Sequence, residues 1–225
     1  MNNYVRMDRA PNTLRRRLIR HAAEALLPST VMVLRGPEGA KKISLTFDDG
    51  PVDLLDRYLD VLDQYQARAT FFVLGECCNA RRDELLEIVR RGHEVANHGY
   101  THKRFTLMSR AELDDELERA NELLPVARSQ RPLVRPPGGA TSLRSLARSA
   151  LLGYTTVLWS LDSDDCRSQD PKHIADCVSP ERVRPGEIVL MHEGQEWTLA
   201  ALPEILSKLR GAGYALVPVG ELLGL

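Results

Sequence analysis

Ile43-Ser44-Leu45-Thr46-Phe47-Asp48-Asp49-Gly50, the run Leu54–Gln64 and Thr70-Phe71-Phe72-Val73-Leu74 together decide the fold. The first five residues alternate apolar with small polar side chains and read as a strand, Ile43–Phe47. Between Leu54 and Gln64 apolar residues recur at i, i+3 and i+4, the spacing of a helix with one buried face. Thr70–Leu74, β-branched and aromatic, reads as a second strand. Two strands joined by a helix rather than a two-residue turn run parallel.

The same unit repeats along the chain. Further strands are predicted at Glu94–Asn97, Leu133–Arg135, Thr155–Trp159, Ile188–His192 and Ala215–Val219, and helices at Asp83–Arg91, Ala111–Val126 and Thr198–Arg210. Ser109 followed by Glu112 is a capping-box start for the third helix. Alternation of this kind implies a parallel sheet of about seven strands, either open or closed into a barrel. No repeat or Gly/Ser linker divides it. The chain therefore reads as an N-terminal arm, residues 1–40, and a single α/β domain, residues 41–225.

Composition narrows the function. With 225 residues, 27% charged and a formal net charge of -1, nothing marks nucleic acid as a partner, and 5% aromatics leave few stacking platforms. Cys77, Cys78, Cys166 and Cys177 lack CxxC spacing, and an adjacent pair does not suit a disulfide framework, so reduced thiols and a cytoplasmic location are expected. No secretory signal or apolar run of ~20 residues is visible. The arm carries Arg6, Arg9, Arg15, Arg16, Arg17 and Arg20 against Asp8 and Glu24 in its first 25 residues, with Leu14, Leu18 and Ile19 interleaved. It reads as a surface helix packed on the domain, or as a basic amphipathic helix in peripheral contact with an anionic membrane.

In a parallel α/β fold the site lies at the C-terminal ends of the strands. Asp48-Asp49, His98, Arg135, the acidic cluster after Trp159, and His192 all fall there. Asp-Asp-Gly is also a common turn sequence, and a lone histidine ending a strand is often structural. Five such groups at one face are harder to explain that way. His98-Gly99-Tyr100-Thr101-His102 offers two imidazoles, held by a tight turn or one helical turn. With one carboxylate they form a metal-ligand set that leaves positions open. A metal lowers the pKa of bound water to ~7, so the other aspartate suffices as a base despite its own pKa of ~3.9. Arg135 beside that base would orient it through a bidentate contact. Gly138 and Gly139 offer backbone N–H groups to an oxyanion. His192 becomes a proton donor if Asp162, Asp164 or Asp165 lies beside it, whereas His21, His93 and His173 lack such company and read as surface or structural residues.

Taken in order, these elements resemble the polysaccharide deacetylase family, the NodB-homology carbohydrate esterases. The resemblance covers about residues 41–220 and implies an incomplete, distorted (β/α) barrel. It implies that Asp48 in Thr46-Phe47-Asp48-Asp49-Gly50-Pro51 is the base, and that Asp49, His98 and His102 bind one divalent metal. That metal is most often zinc, with cobalt or nickel as substitutes. Arg135 in Arg135-Pro136-Pro137-Gly138-Gly139 then positions the base, Asp165 pairs with His192, and His192 is the acid. Pro137, Gly138 and Leu190 line the substrate pocket. Gly138 stands where the family usually has an aromatic residue, Cys166 where it has tryptophan, and Gly99 where it has Ser or Thr. These departures widen the pocket and leave the substrate open.

The activity implied is removal of an N-acetyl group from an amino sugar, in polysaccharide or oligosaccharide and in cell-surface glycan biosynthesis. N-deformylation or O-acetyl ester cleavage on a lipid- or nucleotide-linked sugar uses the same groups. A catalytically degenerate glycan-binding domain would not need all of Asp48, Asp49, His98, His102 and His192. An iron oxygenase with the same ligands would leave Arg135, Asp165 and His192 without roles.

Overall fold

The structure is a computed structural model, described here for residues 27–125 and 131–225. The N-terminal arm through residue 26, with His21, lies outside the described residues, as does Val126. The strands are β1 (Met32–Val33), β2 (Lys42–Gly50), β3 (Thr70–Val73), β4 (Glu94–Asn97), β5 (Leu133–Val134), β6 (Thr155–Val157), β7 (Leu161–Asp162), β8 (Ile188–His192) and β9 (Ala215–Leu216). The helices are α1 (Leu55–Gln64), α2 (Gly75–Cys78), α3 (Arg82–Arg90), α4 (Arg110–Leu123), α5 (Leu143–Leu151), α6 (Pro171–Cys177), α7 (Glu196–Gly211) and α8 (Val219–Leu223).

Among the described residues the strands form one sheet in the order β1-β6-β5-β4-β3-β2-β8-β7, with β9 against the start of β2. Every ladder is parallel. The sheet curls but β1 and β7 end it on either side, so the barrel is incomplete. Two short strands, β1 and β7, are added to the seven predicted. The last predicted strand stops early, because Pro218 cannot donate to the ladder and the chain turns into α8.

The period of two in β2 sorts its side chains. Ile43, Leu45 and Phe47 pack outward against Leu55, Tyr58, Leu59 and Leu62 of α1 and against α7. Phe47 stacks on Phe71 at 5.2 Å and meets the Tyr58 ring edge-on at 5.3 Å. Burying such a ring contributes about 2–3 kcal/mol, and Phe47→Ala would cost about 3–5 kcal/mol through the cavity left behind. Ser44, Thr46 and Asp48 take the opposite face, as do Ile188, Leu190 and His192 of β8, whose register places Asp48 against His192. Tyr58 ties this core to the site, donating its hydroxyl to the carbonyl oxygen of Gln195 at 2.8 Å.

The capping box at Ser109 is present: its hydroxyl accepts from the Glu112 N–H, and the Glu112 carboxylate accepts from the Ser109 N–H. All four cysteines are free. Among the described residues no helix is long and apolar enough to cross a membrane.

Candidate metal centre and active site

The strand β2 runs further than its apolar pattern, through Asp48 and Asp49 to Gly50, with its register to β3 shifted between Asp48 and Gly50. The irregularity turns Asp49 out of the alternation: its φ is 75°, left-handed for a non-glycine residue. Two adjacent carboxylates thus reach one site instead of opposite faces of the sheet.

His98 follows β4 directly, and the segment to His102 is a turn rather than a helix, with positive φ at Gly99 (86°) and His102 (61°). Gly99 donates its N–H to Asn97 Oδ1 at 2.7 Å. A Cβ there would stand 3.2 Å from both Glu116 and Phe105, which accounts for glycine where the family has a larger residue. Glu116, buried on α4, accepts from the Tyr100 and Thr101 N–H groups at 2.8 and 2.6 Å. The sequence reading missed it, although its place on a helix face pointing away from solvent was legible in the periodicity.

The turn brings the rings together, with centroids 5.4 Å apart. His98 Nδ1 lies 2.8 Å from the Arg135 carbonyl oxygen, so it carries the proton and leaves Nε2 as the free lone pair. His98 Nε2 and His102 Nε2 lie 3.3 and 3.2 Å from the same oxygen, Asp49 Oδ1. One ligand atom from each of the three lies within 4.8 Å of the others. Asp49 Oδ1 and His102 Nε2 are buried with no hydrogen-bond partner. Buried polar atoms are almost always paired, so this convergence of orphaned lone pairs fits a shared divalent cation. Burial works against charge on Asp49, yet His102 and His98 hold its carboxyl well below the usual carboxylate range.

Arg135 directly follows β5 and is wholly buried. Its Nη1 donates to Asp48 Oδ1 at 2.6 Å and to Thr46 Oγ1 at 2.7 Å, while Nη2 and Nε donate to the Leu158 and Val157 carbonyls at 3.1 and 3.3 Å. The contact with Asp48 is therefore through one nitrogen, not the expected fork, because the other donors satisfy strand-end carbonyls. The guanidinium lies over the Phe72 ring at 4.0 Å. The second oxygen of Asp48 faces His98 Nε2 at 3.8 Å.

Of the three aspartates offered to His192, Asp165 is the partner, its Oδ1 2.7 Å from Nδ1. Asp165 Oδ2 accepts from the His192 N–H and the Thr198 hydroxyl at 2.7 and 2.9 Å. Burial alone would discharge His192, but Asp165 outweighs it and raises its pKa well above the ordinary value. Asp164 instead meets His173 Nε2 at 2.9 Å, so His173 does have a carboxylate beside it. His93 is structural: its Nδ1 accepts from the Ala69 N–H at 3.2 Å, and burial lowers its pKa to about 4.

Pro137 and Gly138 follow Arg135 in a short helical turn. The Gly139 N–H is donated to the Pro136 carbonyl at 2.8 Å, which removes it as an oxyanion donor. Gly138 is exposed at φ 61°, with open space where a Cβ would stand. Leu190 is buried two residues before His192, on the same face. Trp197, which the sequence reading passed over, donates its indole N–H to the Asp165 carbonyl oxygen at 2.8 Å.

Residues 35–157 match the sequence model of the family described as polysaccharide deacetylase. A peptidoglycan-N-acetylglucosamine deacetylase of Bacillus cereus is 33% identical over 204 residues, covering 88% of this chain and 95% of the relative. A chitooligosaccharide deacetylase of Sinorhizobium fredii is 33% identical over 198 residues, covering 81% and 92%. The crystal structure of the Bc1960 peptidoglycan N-acetylglucosamine deacetylase superposes with a TM-score of 0.81 at 25% identity, covering 90% of this chain and 96% of that one. The matched segment holds Asp48, Asp49, His98, His102 and Arg135, and the longer alignments extend the likeness over most of the domain. This chain belongs to the polysaccharide deacetylase family of carbohydrate esterases, hydrolases with the NodB-homology fold.

Proposed function

We propose that this protein hydrolyses the N-acetyl group of an amino sugar in a glycan, with one divalent metal, zinc in preference to cobalt or nickel, held by Asp49, His98 and His102. The observation that carries the reading is the register of β2 and β8. It sets Asp48, held by Arg135, opposite His192, held by Asp165, in the same site as the three candidate ligand groups. A bound metal would supply Lewis acidity, bringing the pKa of water to ~7 and polarising the acetyl carbonyl. Asp48 takes the proton from the attacking water through its oxygen turned away from Arg135. Arg135 keeps that carboxylate oriented. His192, kept protonated by Asp165, gives its proton to the departing amine nitrogen, so the leaving group is an amine and not an amide anion. Family membership and the names of the relatives support deacetylation of an N-acetylated glycan.

Pro137, Gly138 and Leu190 form the substrate-side wall in this reading. The open space at Gly138 supports a substrate broader than a single chitin-like strand, in cell-surface glycan biosynthesis. A lipid- or nucleotide-linked sugar, with acetyl or formyl as the group released, is the second reading, favoured by the same open wall and by the basic arm. We place the protein in the cytoplasm, peripheral to an anionic membrane. The test is release of acetate and formate from free, nucleotide-linked, lipid-linked and polymeric amino sugars by the zinc-loaded enzyme. Acetate from a polymer or oligomer is the expected result. Release of neither acid from any of them, at one zinc per chain, would return the protein to a glycan-binding role.

A further inference from the structure

Glu193 is a carboxyl that the chemistry above does not use, and it lies directly after the acid histidine. It is 2% exposed. Its Oε1 accepts the Val52 N–H at 2.8 Å, and its Oε2 is buried without a hydrogen-bond partner. Its own N–H is donated to the Asp48 carbonyl oxygen at 2.9 Å. The carboxyl packs directly against Gly50: a Cβ at that position would stand 1.9 Å from Oε2. Main chain and side chain of this one residue therefore grip the segment Asp48–Val52 from both sides of Asp49.

That segment needs holding. Asp49 sits at φ 75°, a conformation that costs a non-glycine residue about 1–3 kcal/mol and persists only where the surroundings impose it. On the far side the Leu74 N–H bonds the Gly50 carbonyl at 2.9 Å, so β3 holds one edge of the turn and Glu193 the other. A buried carboxyl with one orphaned oxygen lowers stability, and that cost is unexplained if packing is its only role. Burial pushes its pKa up to about 8, so it is mostly neutral at pH 7, which an amide of the same shape can imitate.

We propose that Glu193 is a positioning residue: its carboxyl, wedged between the Val52 N–H and Gly50, holds Asp49 in the conformation that completes the metal site. The inference rests on the reading of Asp49, His98 and His102 as ligands. It also links the two halves of the centre, because the residue that clamps the ligand turn is joined by one peptide bond to His192.

The test is the zinc dissociation constant, measured by competition with a chromophoric chelator, alongside urea unfolding of the zinc-free proteins. Glu193→Ala is expected to weaken zinc binding by about 10- to 100-fold, the usual scale for groups that orient a ligand. Glu193→Gln keeps the shape and the acceptor for Val52 and should stay within about threefold of the parent, as outer contacts that persist change affinity little. Gly50→Ala tests the clamp from the other side and serves if Glu193→Ala does not fold. Combined with Glu193→Ala it should bind zinc no more weakly than Glu193→Ala alone, since the clash has gone. Additive losses in that pair, or a Glu193→Ala protein that is less stable to urea yet binds zinc as the parent does, would overturn the proposal. A parent protein that binds no zinc defeats the ligand reading itself, and with it this inference.

Discussion

Replacing Arg135 by Met tests how the fold keeps a charged base beneath a metal site. The guanidinium is fully buried and meets four oxygens: Asp48 Oδ1, Thr46 Oγ1 and the Val157 and Leu158 carbonyls. Methionine fills most of the volume above Phe72 but leaves a 4%-exposed carboxylate without its cation. Breaking a buried pair from one side costs about 3–5 kcal/mol, a large share of the 5–15 kcal/mol of a typical domain. Asp48→Asn removes the charge from the other side, leaving Arg135 its three other acceptors, and should cost about 1–3 kcal/mol. In the double variant a neutral amide faces a thioether, so its loss should not exceed that of Arg135→Met, a coupling of about 1–3 kcal/mol. Arg135→Lys should not restore stability, because an ammonium cannot cover four acceptors spread between β2 and the end of β6. The assay is urea unfolding of the zinc-free proteins at constant m. Losses that add within about 0.5 kcal/mol would refute the pair as an energetic unit.

The other predictions concern the site and the acid side of the stability curve. Asp48→Asn should keep one zinc per chain by metal analysis, yet lower kcat by about 100- to 10,000-fold, the scale of a lost general base; an active variant puts the base elsewhere. Asp49→Ala or His98→Ala should lose the metal, and full occupancy in either removes them as ligands. Asp165→Asn should move the alkaline limb of the kcat/KM profile to lower pH. His192 acts protonated and Asp165 is what holds its pKa up, so an unmoved limb assigns the acid to another group. For His93, burial holds the folded pKa at about 4 against an ordinary 6.5. The unfolded chain gains a proton there that the folded chain refuses as pH falls from 6.5 to 4. Stability should drop by up to about 3 kcal/mol over that window, at 1.36 kcal/mol per unit. His93→Asn, which keeps an acceptor for the Ala69 N–H, should flatten that part of the urea-midpoint profile.

Much of this protein is written in local patterns. Apolar residues at period two and at helical spacing place β2, α1 and β3, because each element must bury one face whatever else the chain does. Strand-end residues are legible for the same reason: Asp48, His98 and His192 follow apolar runs, and a parallel sheet gathers such positions at one face. The resemblance then separates base from ligand, a distinction the spacing of two adjacent aspartates does not contain. What the tertiary structure alone decides is whatever depends on which strands become neighbours. The pairing of β2 with β8 puts Asp48 opposite His192, and left-handed backbone at Asp49 lets both carboxylates serve one site. Burial among strand-end carbonyls spreads the donors of Arg135 over four oxygens instead of a two-pronged grip on Asp48. Glu116 and Glu193 are the clearest cases. Each looks by residue type like a surface acid, and each becomes a buried clamp because loops from distant strands close over it. Periodicity puts Glu116 on the buried face of its helix, but its partners, and those of Glu193, are set by contacts between separate elements that no local pattern encodes.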